Sequence, residues 1–449
     1  MGNPAADRHL RRRDPRRPII HPDASGNASA DRFQSVTSSS EPSTSPVSIY
    51  LHIPFCTTRC AYCDFNTYAG LENLIPAYVA SLAKEIRGVG AYSLPLGSPA
   101  VDDRAHGPPA HSVYFGGGTP SLLSVDQVAQ ILEAIRDGFG LLPGCEITLE
   151  ANPGSVDLAR LEGYRRIGVN RLSLGVQSSH PGELRLLERG HTFPDVIQAM
   201  LAARQAGFTN VSLDLIFGLP YQTIAAWKES LSRALSLEPD HVSLYALSLE
   251  FGTPMHAWVG RGLMPEPDPD LAAEMYDWAA SLLAEGGFRH YEISNWAGRS
   301  GSGEGNGSFA ACRHNLQYWR NRPYLGFGAG AHGYAAGVRY ANVRSPSGYV
   351  RRIEAGAGYS YPVSPAVADQ RDVPLPTEMN ETMMLGLRLL DEGVDEDTFR
   401  ERFGVGIEEA FPKPMKRLRE DGLVRWEEGR LRLTESTIFI ANQVFCMFV

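Results

Sequence analysis

The chain has 449 residues and a formal net charge of −9, and 43 % of its residues are hydrophobic. This length allows two or three domains, and the acidic balance argues against a nucleic-acid binder, which needs excess Lys and Arg to contact phosphates. Six cysteines are too few for a disulfide scaffold. Because no run approaches the roughly 20 apolar residues of a membrane-spanning helix, and no apolar signal core follows the N-terminal arginines, we expect a cytoplasmic protein whose clustered thiols serve metal binding or catalysis.

Residues 1–46 are rich in Ser and Pro, carry the basic cluster "RHLRRRDPRR" and show no hydrophobic periodicity. A segment of this composition cannot bury enough apolar surface to fold alone. We therefore predict a disordered tail, and its acidic residues are atypical of a transit peptide.

Residues 47–290 alternate six short β-branched or aromatic runs with amphipathic helical stretches. The runs are "VSIYLHI", "SVYFGG", "EITLEAN", "RLSLGVQ", "NVSLDLIF" and "HVSLYALSL". This alternation predicts parallel βα units and hence an α/β fold, a partial (β/α)6 barrel with its chemistry at the C-terminal ends of the strands. Residues 92–111, rich in Pro and Gly, are predicted to form a surface insertion.

The pattern changes after the predicted barrel. Residues 291–375 form a Gly- and aromatic-rich connecting region, and residues 376–449 show three helical stretches followed by two short strands. This order predicts a small C-terminal winged-helix-like α+β domain, in which Pro412 and Pro414 leave the start of the third helix open. The apolar end "IFIANQVFCMFV" is predicted to be a packed last helix, with a transient membrane or homodimer contact as the alternative.

Cys56, Cys60 and Cys63 form a C-x3-C-x2-C motif directly after the first predicted strand. A structural zinc site would use four protein ligands, and no second Cys or His pair follows at the spacing of such sites. Three thiolates from one loop can bind three irons of a cubane [4Fe–4S] cluster and leave the fourth iron open. An open iron suits chelation by S-adenosylmethionine (SAM). The alternatives are a zinc knuckle and a structural iron–sulfur site that does not use SAM.

Polar residues and glycines recur where the predicted strands end. The second strand ends in Gly117, Gly118 and Thr119, and glycines there let the backbone approach a ligand closely. Each such residue taken alone is typical of a turn, a cap or a solvated group, but together they predict a ring around a polar cosubstrate. The other members of the ring are Tyr50 on the first strand, Glu150 after the third, Gln177 and Arg189 after the fourth, Asp214 on the fifth and Ala246 on the sixth.

The cysteine motif, with Tyr62 before its last cysteine, and the βα alternation resemble the radical SAM superfamily. The resemblance implies that the three cysteines bind a [4Fe–4S] cluster. It also implies that SAM contacts the residues at matching positions, namely Tyr50, Tyr62, Gly117, Gly118, Thr119, Glu150, Gln177, Arg189, Asp214 and Ala246.

Within this superfamily, "YLHIPFC", "NRLSLGVQ" and "LYALSLEFGTP" resemble the branch of oxygen-independent coproporphyrinogen III oxidase and the HemW-type heme chaperones. The oxidase has a further cysteine where this chain has Phe65, and a longer structured N-terminal segment. "HNLQYW", residues 314–319, matches the H-N-x-x-Y-W signature of the HemW-type proteins, in which the histidine is implicated in heme binding. The resemblance thus makes His314 the predicted heme ligand. A packing role for His314 is the alternative, and His290, Cys312 and His332 are rival ligands.

The resemblance implies a heme chaperone that binds a [4Fe–4S] cluster, SAM and heme, passes heme to heme-accepting proteins and uses an electron donor for the cluster. The alternative is an oxidase that decarboxylates coproporphyrinogen III to protoporphyrinogen IX by radical chemistry. We favour the chaperone because of Phe65. The sequence leaves open whether SAM is cleaved.

Overall fold

The computed structural model describes residues 45–93, 107–299 and 309–449. The predicted tail therefore lies almost wholly outside the described residues, as does most of the predicted insertion at 92–111. The strands are β1 Val47–Ile53, β2 Phe55–Cys56, β3 Tyr68–Ala69, β4 Ala110–Gly117, β5 Leu141–Ala151, β6 Arg171–Gln177, β7 Val211–Phe217, β8 His241–Ala246, β9 Arg289–Glu292, β10 Asn295–Ala297, β11 Tyr324–Phe327, β12 His332–Ala335, β13 Val338–Asn342, β14 Val367–Asp372, β15 Val394–Asp395, β16 Val424–Glu427 and β17 Arg430–Leu433.

Twelve of these strands form one sheet in the order β14-β13-β12-β11-β1-β4-β5-β6-β7-β8-β10-β9. The six strands predicted from the sequence are consecutive parallel neighbours in the sheet, which confirms the α/β class and the partial (β/α)6 barrel. A seventh parallel strand, β11, was not predicted and pairs with β1. Strands from the segment 291–375 thus extend both edges of the sheet, and the predicted boundary at residue 290 falls within β9.

Helices follow the parallel strands as the amphipathic stretches predict. Residues at alternate positions of each strand point to opposite sides; one set, including Ile49, Leu51 and Leu149, is apolar and packs with the helices in the main core. The helices are α1 Ile75–Ala91, α2 Val125–Gly138, α3 Leu158–Ile167, α4 Pro181–Leu186, α5 Phe193–Gln205, α6 Ile224–Leu235, α7 Pro254–Gly260, α8 Pro269–Glu285, α9 Arg313–Trp319, α10 Pro346–Ala355, α11 Leu375–Gly386, α12 Glu396–Phe403, α13 Ile407–Ala410, α14 Pro412–Glu420 and α15 Ala441–Phe445.

The other set of strand residues is polar. Tyr114 and Glu150, on neighbouring strands, share a hydrogen bond, and Ser173 bonds to Asp214 across the next pair of strands. A (β/α)8 barrel normally fills its interior with branched apolar side chains. The polar interior of this partial barrel is instead suited to a polar ligand, because buried polar groups need hydrogen-bond partners.

A buried carboxylate, Glu85 on α1, holds the loop that follows β11. The Glu85 side chain is fully enclosed, and burial raises its pKa. It accepts four hydrogen bonds from separate segments: from Gly328 N at 2.9 Å, Asn342 Nδ2 at 3.1 Å, Tyr349 Oη at 2.6 Å and Ser364 Oγ at 2.6 Å. The loop at residues 328–331, called here the glycine loop, is therefore fixed to the helical layer from one side.

The C-terminal segment has the predicted order of helices followed by two strands, and a short β15 completes a three-stranded antiparallel sheet. The third predicted helix is in fact two helices, α13 and α14, because the chain restarts at Pro412, where proline is tolerated at the first helical position. The predicted packing of the apolar end is seen in Val444 and Phe448, which are buried in the core of this domain. Among the described residues, no helix is long and apolar enough to cross a membrane.

Candidate functional site

The three cysteines lie in the loop between β1 and α1, which the parallel pair β2 and β3 closes. All three thiols are free; Cys56 is buried and the other two are partly exposed. Each sulfur has a polar side chain close by: Cys56 Sγ accepts from Thr119 Oγ1 at 3.6 Å, Cys60 Sγ accepts from Arg189 Nη1 at 3.6 Å, and Cys63 Sγ lies 3.8 Å from Thr67 Oγ1.

The loop opens onto a cavity of about 460 Å³ at the C-terminal ends of the parallel strands. This volume is in the range of a drug-sized ligand. Twelve of the fourteen predicted site residues line it, namely Cys56, Cys60, Tyr62, Cys63, Gly117, Gly118, Thr119, Glu150, Gln177, Arg189, Asp214 and Ala246. The structure thus brings the cysteine loop and the strand-end residues together around one space.

The cavity extends down the interior of the barrel, where sequence reasoning missed several residues. Along β6, Arg171, Ser173, Gly175 and Gln177 all line it, and positions 171 and 177 are roughly 20 Å apart at about 3.3 Å per residue. Other lining residues that were not predicted are Tyr114, Ser243, Tyr245 and Asn315. The period-two alternation of "RLSLGVQ" and "HVSLYA" was the signal that could have identified most of them.

The carboxylate of Glu150, in the cavity, accepts two hydrogen bonds. Its Oε1 accepts a hydrogen bond from Tyr114 Oη at 2.8 Å, and its Oε2 accepts one from Gly117 N at 3.1 Å. Burial raises the pKa of Glu150 to about 7, and the charge of Asp214 acts in the same direction. Glu150 is therefore held in one orientation and changes its charge close to neutral pH.

Two buried guanidinium groups face the cavity. Arg189 donates to the Gly175 carbonyl at 2.9 Å as well as to a cysteine sulfur. Arg171 is 2 % exposed. Within the described part of the chain, the Nε atoms of Arg171 and Arg189 have no hydrogen-bond partner. Buried cations with unused donors fit an anionic ligand, such as thiolates around a cluster or the carboxylate of SAM.

The strand-end glycines are placed for close approach. Gly118 N bonds to Ile53 O at 2.8 Å, and a Cβ on Gly118 would lie 3.0 Å from the sulfur of Cys56. Gly117 has a φ of +115°, and a Cβ there would meet the ring of His52. The backbone of this segment therefore lies directly against the cysteine loop, which a side chain would prevent.

The chemistry of the three thiols fits an iron–sulfur cluster. Among the described residues, no three His, Cys, Asp or Glu side chains are grouped so that they could hold one metal ion. The three thiols share one cavity, and thiolates are the usual ligands of iron–sulfur clusters.

Two predicted site residues lie outside the cavity lining. The ring of Tyr50 stacks on that of Tyr114, with centroids 6.3 Å apart, and its Oη lies 3.1 Å from His52 Nδ1. His314, on α9, is 1 % exposed. The centroid of its imidazole lies 5.1 Å from that of Tyr114 and 6.4 Å from that of Tyr50, and neither Tyr50 nor His314 is among the residues that line the cavity.

Both ring nitrogens of His314 have partners. Nδ1 lies 3.0 Å from Ser112 Oγ, and Nε2 lies 3.0 Å from Tyr318 Oη. Burial lowers the pKa of His314 to about 3, so the imidazole is neutral at ordinary pH. A neutral imidazole can ligate iron, but in this arrangement it would first have to release one hydrogen bond.

The rival ligands are also outside the cavity lining. His290 stacks on Trp296 at 4.1 Å, and Cys312 is buried with its thiol 3.6 Å from Glu146 Oε1. His332 is exposed at the start of β12. In contrast, Phe65 lines the cavity and is 63 % exposed, so an apolar ring stands at the cavity wall where the oxidase branch has a cysteine.

Comparison with known proteins agrees with this geometry. Residues 50–234 match the model of the Radical SAM superfamily, and residues 373–440 match that of the HemN C-terminal domain. The chain is 35 % identical over 405 residues to the "Heme chaperone HemW" of Bacillus subtilis, covering 90 % of this chain and 99 % of that one. It is 39 % identical over 350 residues to the protein of the same name from Synechocystis, covering 77 % and 78 %.

Among solved structures, the chain is similar to coproporphyrinogen III oxidase (HemN) from Escherichia coli, with a TM-score of 0.73, 21 % identity and 91 % of each chain covered. At that identity the likeness shows the fold. The barrel, the cavity and the two matched family models together define a radical SAM protein with a HemN-type C-terminal domain. Membership of the Radical SAM superfamily implies a [4Fe–4S] cluster and SAM. Since the similarity to the B. subtilis relative spans almost its whole length, the chain belongs to the HemW family.

Proposed function

We propose that this protein is a heme chaperone, which binds a [4Fe–4S] cluster, SAM and heme and delivers heme to heme-accepting proteins. The observation that carries the proposal is that three free thiols and nine other predicted site residues line one cavity, in a chain similar to curated heme chaperones over most of its length.

In this proposal Cys56, Cys60 and Cys63 hold three irons of the cluster. The cluster, when bound, supplies an open iron for SAM and an electron for its reductive cleavage. The protein's own residues bind and orient the cosubstrate: Glu150 accepts hydrogen bonds from ribose hydroxyls, and Arg189 pairs with the SAM carboxylate.

Heme is the cargo, and His314 is its proposed iron ligand. In this proposal the iron binds Nε2 of His314, which is bonded to Tyr318 Oη in the structure, so heme loading separates this pair. The ring of Tyr318 would then be free to pack against the porphyrin face. Loading therefore involves a local rearrangement at α9, and its cost reduces the affinity for heme.

The test is anaerobic reconstitution followed by titration of hemin, monitored by absorbance. We expect His314→Ala to weaken hemin binding, and we expect Tyr318→Phe to retain or strengthen it, because this change removes the competing hydrogen bond and keeps the ring. Unchanged hemin binding in His314→Ala would contradict the assignment of the ligand. Absence of hemin binding by the wild-type protein would contradict the function itself.

The second candidate is coproporphyrinogen III oxidase, whose fold this chain shares. The same reconstituted sample, supplied with SAM and a reductant, decides between the two. Formation of protoporphyrinogen IX would support the oxidase. We expect none, because Phe65 is at the position of the oxidase's additional cysteine.

A further inference from the structure

The segment that follows the third cysteine is attached to a distant part of the chain through Asn66. Its Nδ2 donates to two backbone carbonyls, Ala329 O at 3.0 Å and Arg344 O at 2.9 Å. Its Oδ1 accepts from Tyr68 Oη at 3.1 Å. Every hydrogen-bonding group of this amide side chain thus has a partner, and two of the three partners come from more than 260 residues later in the sequence.

The backbone of Asn66 is held as well. Its carbonyl oxygen lies 3.0 Å from His52 Nε2, and His52 is on β1, next to the cysteine loop. Two residues on, Tyr68 N donates to Pro54 O at 2.8 Å. Asn66 is therefore where the exit of the cysteine loop, the end of β1 and the glycine loop meet.

The glycine loop is shaped to receive Asn66. Gly330 has a φ of +78°, and a Cβ built on it would lie 2.4 Å from Asn66 Nδ2. On the opposite side Gly328 is held by the Glu85 carboxylate at 2.9 Å. The glycine loop is thus bonded to the helical layer through Glu85 and to the cysteine loop through Asn66.

We propose that Asn66 is a positioning residue for the cluster, which couples the cysteine loop to the glycine loop so that each segment orders the other. Asn66 is three residues from Cys63 and is the central residue of a turn that Thr67 N closes by bonding to Phe65 O at 2.7 Å. The next residue contacts the thiol, since Thr67 Oγ1 lies 3.8 Å from Cys63 Sγ. Displacement of Asn66 would therefore move the third thiol. Binding of the cluster fixes that thiol and, through Asn66, the backbone of residues 328–331. This inference rests on the proposed assignment of the three cysteines as cluster ligands.

The experiment compares variants that break the contact from either side. Asn66→Ala removes the amide, Asn66→Asp keeps the acceptor for Tyr68 but places an oxygen against two carbonyls, and Gly330→Ala adds the Cβ that would meet Asn66. The measurements are iron per chain after anaerobic reconstitution, the rate at which cluster absorbance is lost in air, and amide hydrogen exchange of residues 328–331 with and without the cluster.

Two matched controls separate the contact from side effects. Gly337 has a φ of +73°, and a Cβ added there would have nothing within 4 Å, so Gly337→Ala carries the backbone strain of Gly330→Ala without the clash. Asn73→Ala replaces an exposed asparagine of the same connection. Circular dichroism of the cluster-free proteins reports whether each variant folds.

In the wild type and both controls we expect the cluster to slow amide exchange in the glycine loop. In the three test variants we expect the cluster absorbance to be lost in air at least about fivefold faster than in the wild type, in line with the loss of about one net hydrogen bond. We also expect that the cluster no longer slows amide hydrogen exchange of residues 328–331 in these variants. Wild-type cluster stability and cluster-dependent protection in folded Asn66→Ala would overturn the proposal. The Cys63→Ala variant distinguishes failure of the cysteine assignment from failure of the Asn66 proposal. If Cys63→Ala retains the whole cluster, both the assignment of Cys63 as a ligand and the coupling through Asn66 are wrong. If Cys63→Ala loses the cluster but Asn66→Ala retains it, only the coupling through Asn66 is wrong.

Discussion

Replacement of Glu150 by Gln should weaken SAM binding and abolish its pH dependence near neutrality. The carboxylate is oriented by two hydrogen bonds, from Tyr114 and Gly117, and Gln keeps the size of the side chain while removing the charge. Hydrogen bonds to a charged group contribute about 1.5–3 kcal/mol, so the loss corresponds to roughly 10- to 150-fold in the dissociation constant at pH 8.

The pH dependence follows from the raised pKa of Glu150, which is about 7. Only the ionised form is a strong acceptor for ribose hydroxyls. Because the ionised fraction falls from about nine-tenths at pH 8 to about one-tenth at pH 6, wild-type SAM affinity should fall about tenfold over that range. The Glu150→Gln variant, which has no proton to gain, should bind SAM with the same weak affinity at both values.

Isothermal titration of SAM into the anaerobic, cluster-loaded protein at pH 6, 7 and 8 measures both effects. Glu162→Gln, an exposed carboxyl group on α3, is the control and should behave as wild type. Equal affinities of wild type and Glu150→Gln at pH 8 would refute the role of the carboxylate, and a flat wild-type profile from pH 6 to 8 would refute the titration.

Three further substitutions test the packing around the site. Gly118→Ala should lower the iron content after reconstitution, because the added Cβ would lie 3.0 Å from Cys56 Sγ. Gly190→Ala is the control and should keep the wild-type iron content, because a Cβ added there would have nothing within 4 Å. Glu85→Ala should lower the free energy of unfolding in urea by roughly 3–6 kcal/mol, since it leaves several buried donors without an acceptor, and Glu85→Gln should cost less. His314→Ala, besides its effect on hemin, should cost about 1–3 kcal/mol in the same assay through its two lost hydrogen bonds.

Each of these outcomes has a clear opposite. Equal iron contents in Gly118→Ala and Gly190→Ala would mean that the backbone at Gly118 does not set the position of the cluster. Indistinguishable urea midpoints for Glu85→Ala and wild type would mean that water replaces the carboxylate. A His314→Ala variant of full stability would show that the buried hydrogen bonds of α9 contribute no net energy.

Much of the barrel could be predicted because its signal is local. "VSIYLHI" and "RLSLGVQ" coincide with β1 and β6, since each run has apolar residues at alternate positions, which is the period of a strand with one face in the core. The cavity ring followed from the same reasoning, because parallel strands bring their C-terminal ends to one edge. The strand-end residues and the cysteine motif therefore met at one cavity, whereas the inclusion of Tyr62 followed from the family resemblance.

Long-range features were not predictable in this way. The four-residue strand β11 is too short to show a period, and only its pairing with β1 defines it. Likewise, the glycine spacing of "GFGAGAHGY" is compatible both with backbone access to the cavity and with simple turns. In the structure the side chain of Asn66, from a loop far away in sequence, packs against the backbone of Gly330. The burial of His314 also depends on partners from β4, which its own sequence context does not reveal.

The position of β1 in the sheet has a consequence for the order of synthesis. β1 is a central strand, with β4 on one side and β11 on the other, and Ser48 pairs with Tyr324, 276 residues later. At about 5–20 residues per second, roughly 15–55 s of translation separate the two strands. Throughout that time one edge of β1 has no partner, and the cysteine loop lacks the glycine loop that holds it. The nascent chain therefore presents three thiols well before it can hold them in place, and insertion of the cluster is expected to follow completion of the sheet.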